Sequence, residues 1–206
     1  MGRGKGQVLT SYNVSSLVID KLCDHARGQN TTVACFYFGF AARKEQSSTS
    51  VLGALLKQLV CGLEVTPKEI SLAYQGQKNA IGGRGPQLAD IVKMLRNTAS
   101  MKRTFICIDA LDECVVEPRV KILDALNQIL RSSPGTRIFV TGRPHIEAEV
   151  GSRLCGRGMA IRITPRRDDI IGYIHSKLEG DAMPGAISSS LEAEILRKIP
   201  EDISEM

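Results

Sequence analysis

Apolar residues along this chain alternate between short unbroken runs and longer stretches of helical period. From Val14 to Ala26, Leu17, Val18 and Leu22 recur at helical spacing, and Gly28-Gln29-Asn30 ends the helix they predict. Val33 to Phe38 is too brief and too aromatic for a helix and predicts a buried strand. Ser47, Ser48 and Thr49 supply N-caps for a helix whose Val51, Leu52, Leu55, Leu56, Leu59 and Val60 make a strong apolar face. The glycines and proline between Lys78 and Gln87 read as a loop, followed by a helix carrying Leu88, Ile91, Val92 and Leu95.

The second half repeats the rhythm. Thr104 to Ile108 is a continuous apolar run that ends abruptly in Asp109, the pattern of an interior parallel strand surfacing at its carboxyl end. A helix from about Arg119 to Arg131 leads through Ser132-Ser133-Pro134-Gly135 into another buried strand, Arg137 to Thr141. Met159 to Ile163 predicts one more short strand, with helices at Asp168 to Leu178 and Leu191 to Ile199 after it. Strand, helix, strand in this order predicts an α/β fold, a parallel sheet flanked by helices.

Composition agrees with that reading. At 206 residues, 43% hydrophobic and 24% charged, the chain suffices for one sizeable α/β domain or one domain and the start of a second. Aromatics are 4% with no Trp, so the core must be aliphatic. The net charge of +5 is scattered rather than gathered into an aromatic-studded stripe, which argues against a nucleic-acid partner. No apolar run reaches the roughly 18 residues of a membrane span, and the N-terminus lacks the apolar stretch of a secretory signal, which argues against a membrane partner. Six cysteines form no C-x-x-C pair and read as buried reduced thiols, pointing to a cytoplasmic protein. His25, His145 and His175 are too dispersed for a metal site and read as surface or capping residues.

Chemistry concentrates in Ile106-Cys107-Ile108-Asp109-Ala110-Leu111-Asp112-Glu113-Cys114. Ligands of open α/β sheets bind beyond the carboxyl ends of strands, where these three carboxylates fall. Asp109 at the strand end suits a hard Mg2+ ion, and Asp112 or Glu113 suits the orientation of an attacking water. This is a Walker B layout. For one such run alone, solvated loop acids are the competing reading. A second strand, however, surfaces at Thr141-Gly142-Arg143-Pro144-His145, placing Arg143 to read a γ-phosphate and Thr141 to sense the bridging water.

Ile-Asp-Ala-Leu-Asp-Glu-Cys followed by Arg-Ile-Phe-Val-Thr-Gly-Arg-Pro resembles the Walker B and sensor-1 pair of NACHT domains. The likeness is closest to the nephrocystin-like N-terminal NTPase domains of fungal NACHT proteins. Ser16 to Asp20, Phe36 to Phe38, Leu55 to Leu59 and Asp169 to Ile174 extend it from about Val14 to Met206. The resemblance implies a P-loop NTPase-type fold in which Mg2+ with ATP or GTP drives a conformational and oligomerisation switch. The partners it implies are a nucleoside triphosphate, a second copy, or full-length NACHT paralogues. It also implies an organisation of residues 1–13 as a Gly-rich leader with a degenerate Walker A, 14–164 as a partial nucleotide-binding domain, and 165–206 as the start of a helical segment.

Residues at the N-terminus depart from the family pattern. A phosphate loop needs G-x-x-x-x-G-K-[ST], in which backbone N–H groups cradle phosphate and the hydroxyl holds Mg2+. Gly4-Lys5 matches the G-K, but Gly6 stands where Ser or Thr belongs, and Thr10 and Ser11 are the nearest hydroxyls. The central strand that the resemblance places ahead of this loop has no counterpart in the sequence, so the expected sheet is incomplete. Two readings stay open: a Mg2+-dependent NTPase switch, and a pseudo-NTPase that only binds protein partners.

Overall fold

The computed structural model describes residues 11–42, 45–79, 85–154, 158–163, 166–179 and 188–204. Ser15–Ala160 form one compact unit. In it, helix α1 (Ser11–Ala26), which belongs to this unit from Ser15 on, precedes strand β1 (Thr31–Tyr37), and helices α2 (Ser48–Cys61), α3 (Lys68–Asn79) and α4 (Leu88–Ala99) follow. Strand β2 (Arg103–Asp109), helix α5 (Val116–Ser132), strand β3 (Thr136–Val140) and the short helix α6 (Glu147–Arg153) complete it. Helices α7 (Arg167–Glu179) and α8 (Ser189–Ser204) belong to a second unit, in which they pack on each other and His175 lies 4.0 Å from Glu192.

The sheet is parallel, in the order β1-β2-β3, with β2, the strand that ends in Asp109, in the centre. Cys35 pairs with Cys107 and Tyr37 with Asp109, so all three strands present their carboxyl ends at one edge. A parallel sheet needs helices to cover it, and pleating sends alternate residues to opposite faces. Ala34, Ile106 and Ile108 face a core with Leu52, Leu55 and Leu59 of α2, Ile91 and Leu95 of α4, and Ile122, Leu126 and Ile129 of α5. Cys35, Cys107 and Asp109 occupy the other face, to which α1 brings Ser15.

Local chemistry explains the element ends. Ser47 caps α2 by accepting from the Ser50 N–H, and Gly62 closes it. The sequence pattern missed α3, whose exposed Leu72 and Tyr74 leave it little apolar face to detect. At the outer edge of β1, the Gln58 side chain accepts from the Cys35 N–H at 2.9 Å and donates to the Cys35 carbonyl at 2.8 Å. The amide thereby does what a neighbouring strand would do.

Two expectations need correction. Met159 to Ile163 is not a strand: it pairs with no described strand, and Met159 is 83% and Ile161 71% exposed. Its alternating apolar residues have the strand period, but the outer edge of β3 has no partner among the described residues, and a strand without a ladder has nothing to hold it. The thiols also divide: Cys107 and Cys114 are buried, whereas Cys23 and Cys61, on the outer faces of α1 and α2, are exposed. No described cysteine is in a disulfide, and among the described residues no helix is long and apolar enough to cross a membrane.

Candidate nucleotide site

Asp109 ends β2 and is 5% exposed. A buried carboxylate needs donors, and two hydroxyls from distant segments supply them to the same oxygen: Ser15 Oγ of α1 and Thr141 Oγ1, the latter at 2.5 Å. Thr141 is itself fixed. Its N–H donates to the Ile108 carbonyl, its carbonyl accepts from the Leu111 N–H, and its hydroxyl accepts from the Ala110 N–H at 3.0 Å. The β2–β3 ladder thus runs one residue past β3 and delivers a hydroxyl to the carboxylate.

Beyond Asp109 the backbone turns sharply. Ala110 has φ +53° and ψ +46°, the left-handed region that alanine seldom occupies. The turn drives Leu111 into the core and returns Asp112 and Glu113 toward the segment after β3. There the Arg143 N–H donates to Asp112 Oδ1 at 3.2 Å, and its guanidinium lies 3.4 Å from both Asp112 and Glu113. Gly142 permits the approach, since a Cβ there would stand 2.6 Å from Ile146 Cδ1 and 3.4 Å from Asp112 Oδ1.

The structure therefore assembles Asp109, Thr141, Asp112, Glu113 and Arg143 at one sheet edge, in two groups. Asp109 and Thr141 form a buried group with Ser15, while Asp112 and Glu113 engage Arg143, which is 72% exposed. Gly4 and Lys5 lie outside the described residues. Ser15 is the residue that sequence reasoning missed. Its signal was a small polar residue one turn before Ile19, on the face of α1 that is buried.

Tyr37, register partner of Asp109, borders the group on the β1 side and is 46% exposed. Partial burial, reinforced by neighbouring Cys35, Asp109, Asp20 and Cys107, raises its phenol above the ordinary value.

The family described as nephrocystin 3, N-terminal, matches residues 11–143, from the start of α1 through Arg143. The chain belongs to this family. The match takes in both groups of site residues. No curated protein sequence matches the chain. Among solved structures, the Aeropyrum pernix ORC1 protein in complex with DNA is similar with a TM-score of 0.49 and 16% identity. The similarity covers 91% of this chain and 46% of that one, so the chain spans less than half the length of that protein.

Proposed function

We propose that this nephrocystin-like domain binds a Mg2+-nucleoside triphosphate, ATP or GTP, at the carboxyl edge of its sheet, and that binding sets its conformation and its association with NACHT-type partners. The observation that carries the reading is the meeting of Ser15 and Thr141 on the Asp109 carboxylate. A helix hydroxyl and a strand-end carboxylate are the hard oxygen donors that Mg2+ prefers. The residues fit the metal: Asp109 and Ser15 would hold it, with Thr141 fixing the carboxylate from the other side. The ion would supply positive charge for the β- and γ-phosphates.

The chain's own residues divide the remaining work. Asp112 or Glu113 accepts a proton or hydrogen bond from the attacking water, and Arg143 stabilises charge on the γ-phosphate. Arg143 must then leave the two carboxylates it now touches, both largely buried; the Arg143 N–H stays on Asp112 Oδ1, and the γ-phosphate takes the place of the carboxylates as the guanidinium's partner. Gly4 and Lys5 are assigned to the phosphates on sequence pattern alone.

A second reading is a pseudo-NTPase that binds only protein, favoured by Gly6 in place of the phosphate-loop hydroxyl. Titration of the purified chain with a fluorescent ATP analogue, with and without Mg2+, separates the two. Saturable Mg2+-dependent binding that Asp109→Ala abolishes supports the nucleotide reading. A folded sample that binds nothing supports the other.

A further inference from the structure

We infer that Arg119 is a positioning residue that locks the Asp112–Glu113 loop and the Arg143 segment into a single frame. The inference rests on the proposed nucleotide site and concerns how its two charged elements keep their spacing. Arg119, on the first turn of α5, is only 8% exposed, unusual for an arginine on a helix that has an open face. Its guanidinium has two destinations. Nη1 donates to the Cys114 carbonyl at 2.9 Å, the residue directly after Glu113. Nε and Nη2 both reach Glu149 Oε2 on α6 at 2.9 Å.

These destinations belong to the two halves of the site. Cys114 closes the turn that carries Asp112 and Glu113, with its N–H bonded to the Leu111 carbonyl. Glu149 lies on the first turn of α6, which continues directly from the 3-10 turn Pro144–Ile146 headed by Arg143. Glu149 in turn lies 3.8 Å from Arg153, which donates to Asp124 of α5 at 2.9 Å, so the two helices are joined twice. Ile146 anchors the same segment in the core. Across that frame Arg143 meets Asp112 and Glu113.

A planar fork reaches the carbonyl with one nitrogen and the carboxylate with two others, in a fixed plane; an ammonium has three donors but all on one nitrogen, so it cannot span both destinations at these separations. A bare packing role for Arg119 would need neither destination. The frame matters because misplacing a reacting group by about 1 Å can cost roughly a hundredfold in rate.

The test compares the purified chain with Arg119→Lys and Glu149→Gln by hydrogen–deuterium exchange read peptide by peptide, thermal melting, Mg2+-ATP binding and phosphate release. Arg119→Lys keeps the charge opposite Glu149 but loses the fork. We expect exchange at residues 110–114 and 142–146 to accelerate together by about tenfold or more, while β2 and α2 keep their protection. Mg2+-ATP affinity should stay within about threefold, because Asp109 is held by Ser15 and Thr141, and phosphate release should fall by about ten- to a hundredfold. Glu149→Gln retains an acceptor oxygen and should keep both loops near the parent's protection.

Unchanged loop exchange in Arg119→Lys, acceleration of one loop without the other, or a uniform rise across the unit that tracks a lower melting temperature overturns the inference. A parent chain that binds no Mg2+-ATP defeats the nucleotide reading instead, and the paired loop exchange then decides the role of Arg119 by itself.

Discussion

Ser15 and Asp109 stand 94 residues apart in the sequence and share a buried hydrogen bond, hydroxyl to carboxylate. That bond ties the first helix to the end of the central strand. Hydrogen bonds to a buried charged group contribute roughly 1.5–3 kcal/mol. Ser15→Ala is therefore expected to lower stability by about 1–3 kcal/mol in urea denaturation, and Thr141→Val by at least as much, since the Ala110 N–H also loses its acceptor. The double variant should deviate from the sum of the singles because both hydroxyls serve one oxygen. Strict additivity would mean that the two do not act on the same carboxylate.

Arg143 makes a different kind of contact. Its guanidinium is exposed and its two ion pairs are long, but Asp112 and Glu113 are largely buried, so Arg143→Gln should lower stability by about 1–2 kcal/mol, between the values for exposed and buried pairs. If the proposed role holds, phosphate release should fall by at least about tenfold with Mg2+-ATP affinity little altered. Equal loss in affinity and turnover would move Arg143 from the reacting phosphate to general binding.

Gln58 closes the outer edge of β1. Gln58→Leu keeps the approximate size but leaves the Cys35 N–H and carbonyl without the amide, and should cost about 1–3 kcal/mol. Gln58→Glu keeps an acceptor for the N–H but sets a carboxylate against the carbonyl, and should be no better. Urea midpoints equal to the parent's for both would show that water replaces the amide at no cost.

Burial, followed by the neighbouring Cys35 and Cys23, pushes the Cys107 thiol from 9.0 up to about 12. The sign follows from linkage. Between these values the unfolded chain releases the proton and the folded one keeps it, so stability is full below about pH 9 and declines as pH rises toward 12. The same burial makes Cys107 a poor nucleophile. With a thiol reagent at pH 8, exposed Cys23 and Cys61 should react at once and Cys107 only on unfolding. Rapid labelling of Cys107 in the folded chain would contradict its packing.

Period and turn chemistry made most of the sheet legible in advance. Thr104 to Ile108 could be assigned because an apolar run ending in Asp has few other uses, and α2 because Ser47 and six apolar positions agree. Thr141 and Arg143 were legible for a related reason: each follows a strand whose direction fixes where its end emerges. What escaped depends on distant pairing. Ser15 gives no local sign of the carboxylate it meets, and Arg119 looks like any cation on a solvated helix until Cys114 and Glu149 close around it. Met159 to Ile163 failed in the opposite sense, since alternation reports a preference and only a neighbouring ladder makes a strand.

The Gln58 amide also sets a valence. In a polymer chemist's terms, a sheet with two free edges is bifunctional and can propagate without limit, strand upon strand. With the Cys35 N–H and carbonyl already occupied, a strand arriving on the β1 side would lose a ladder pair near the middle of that edge, so growth there is penalised.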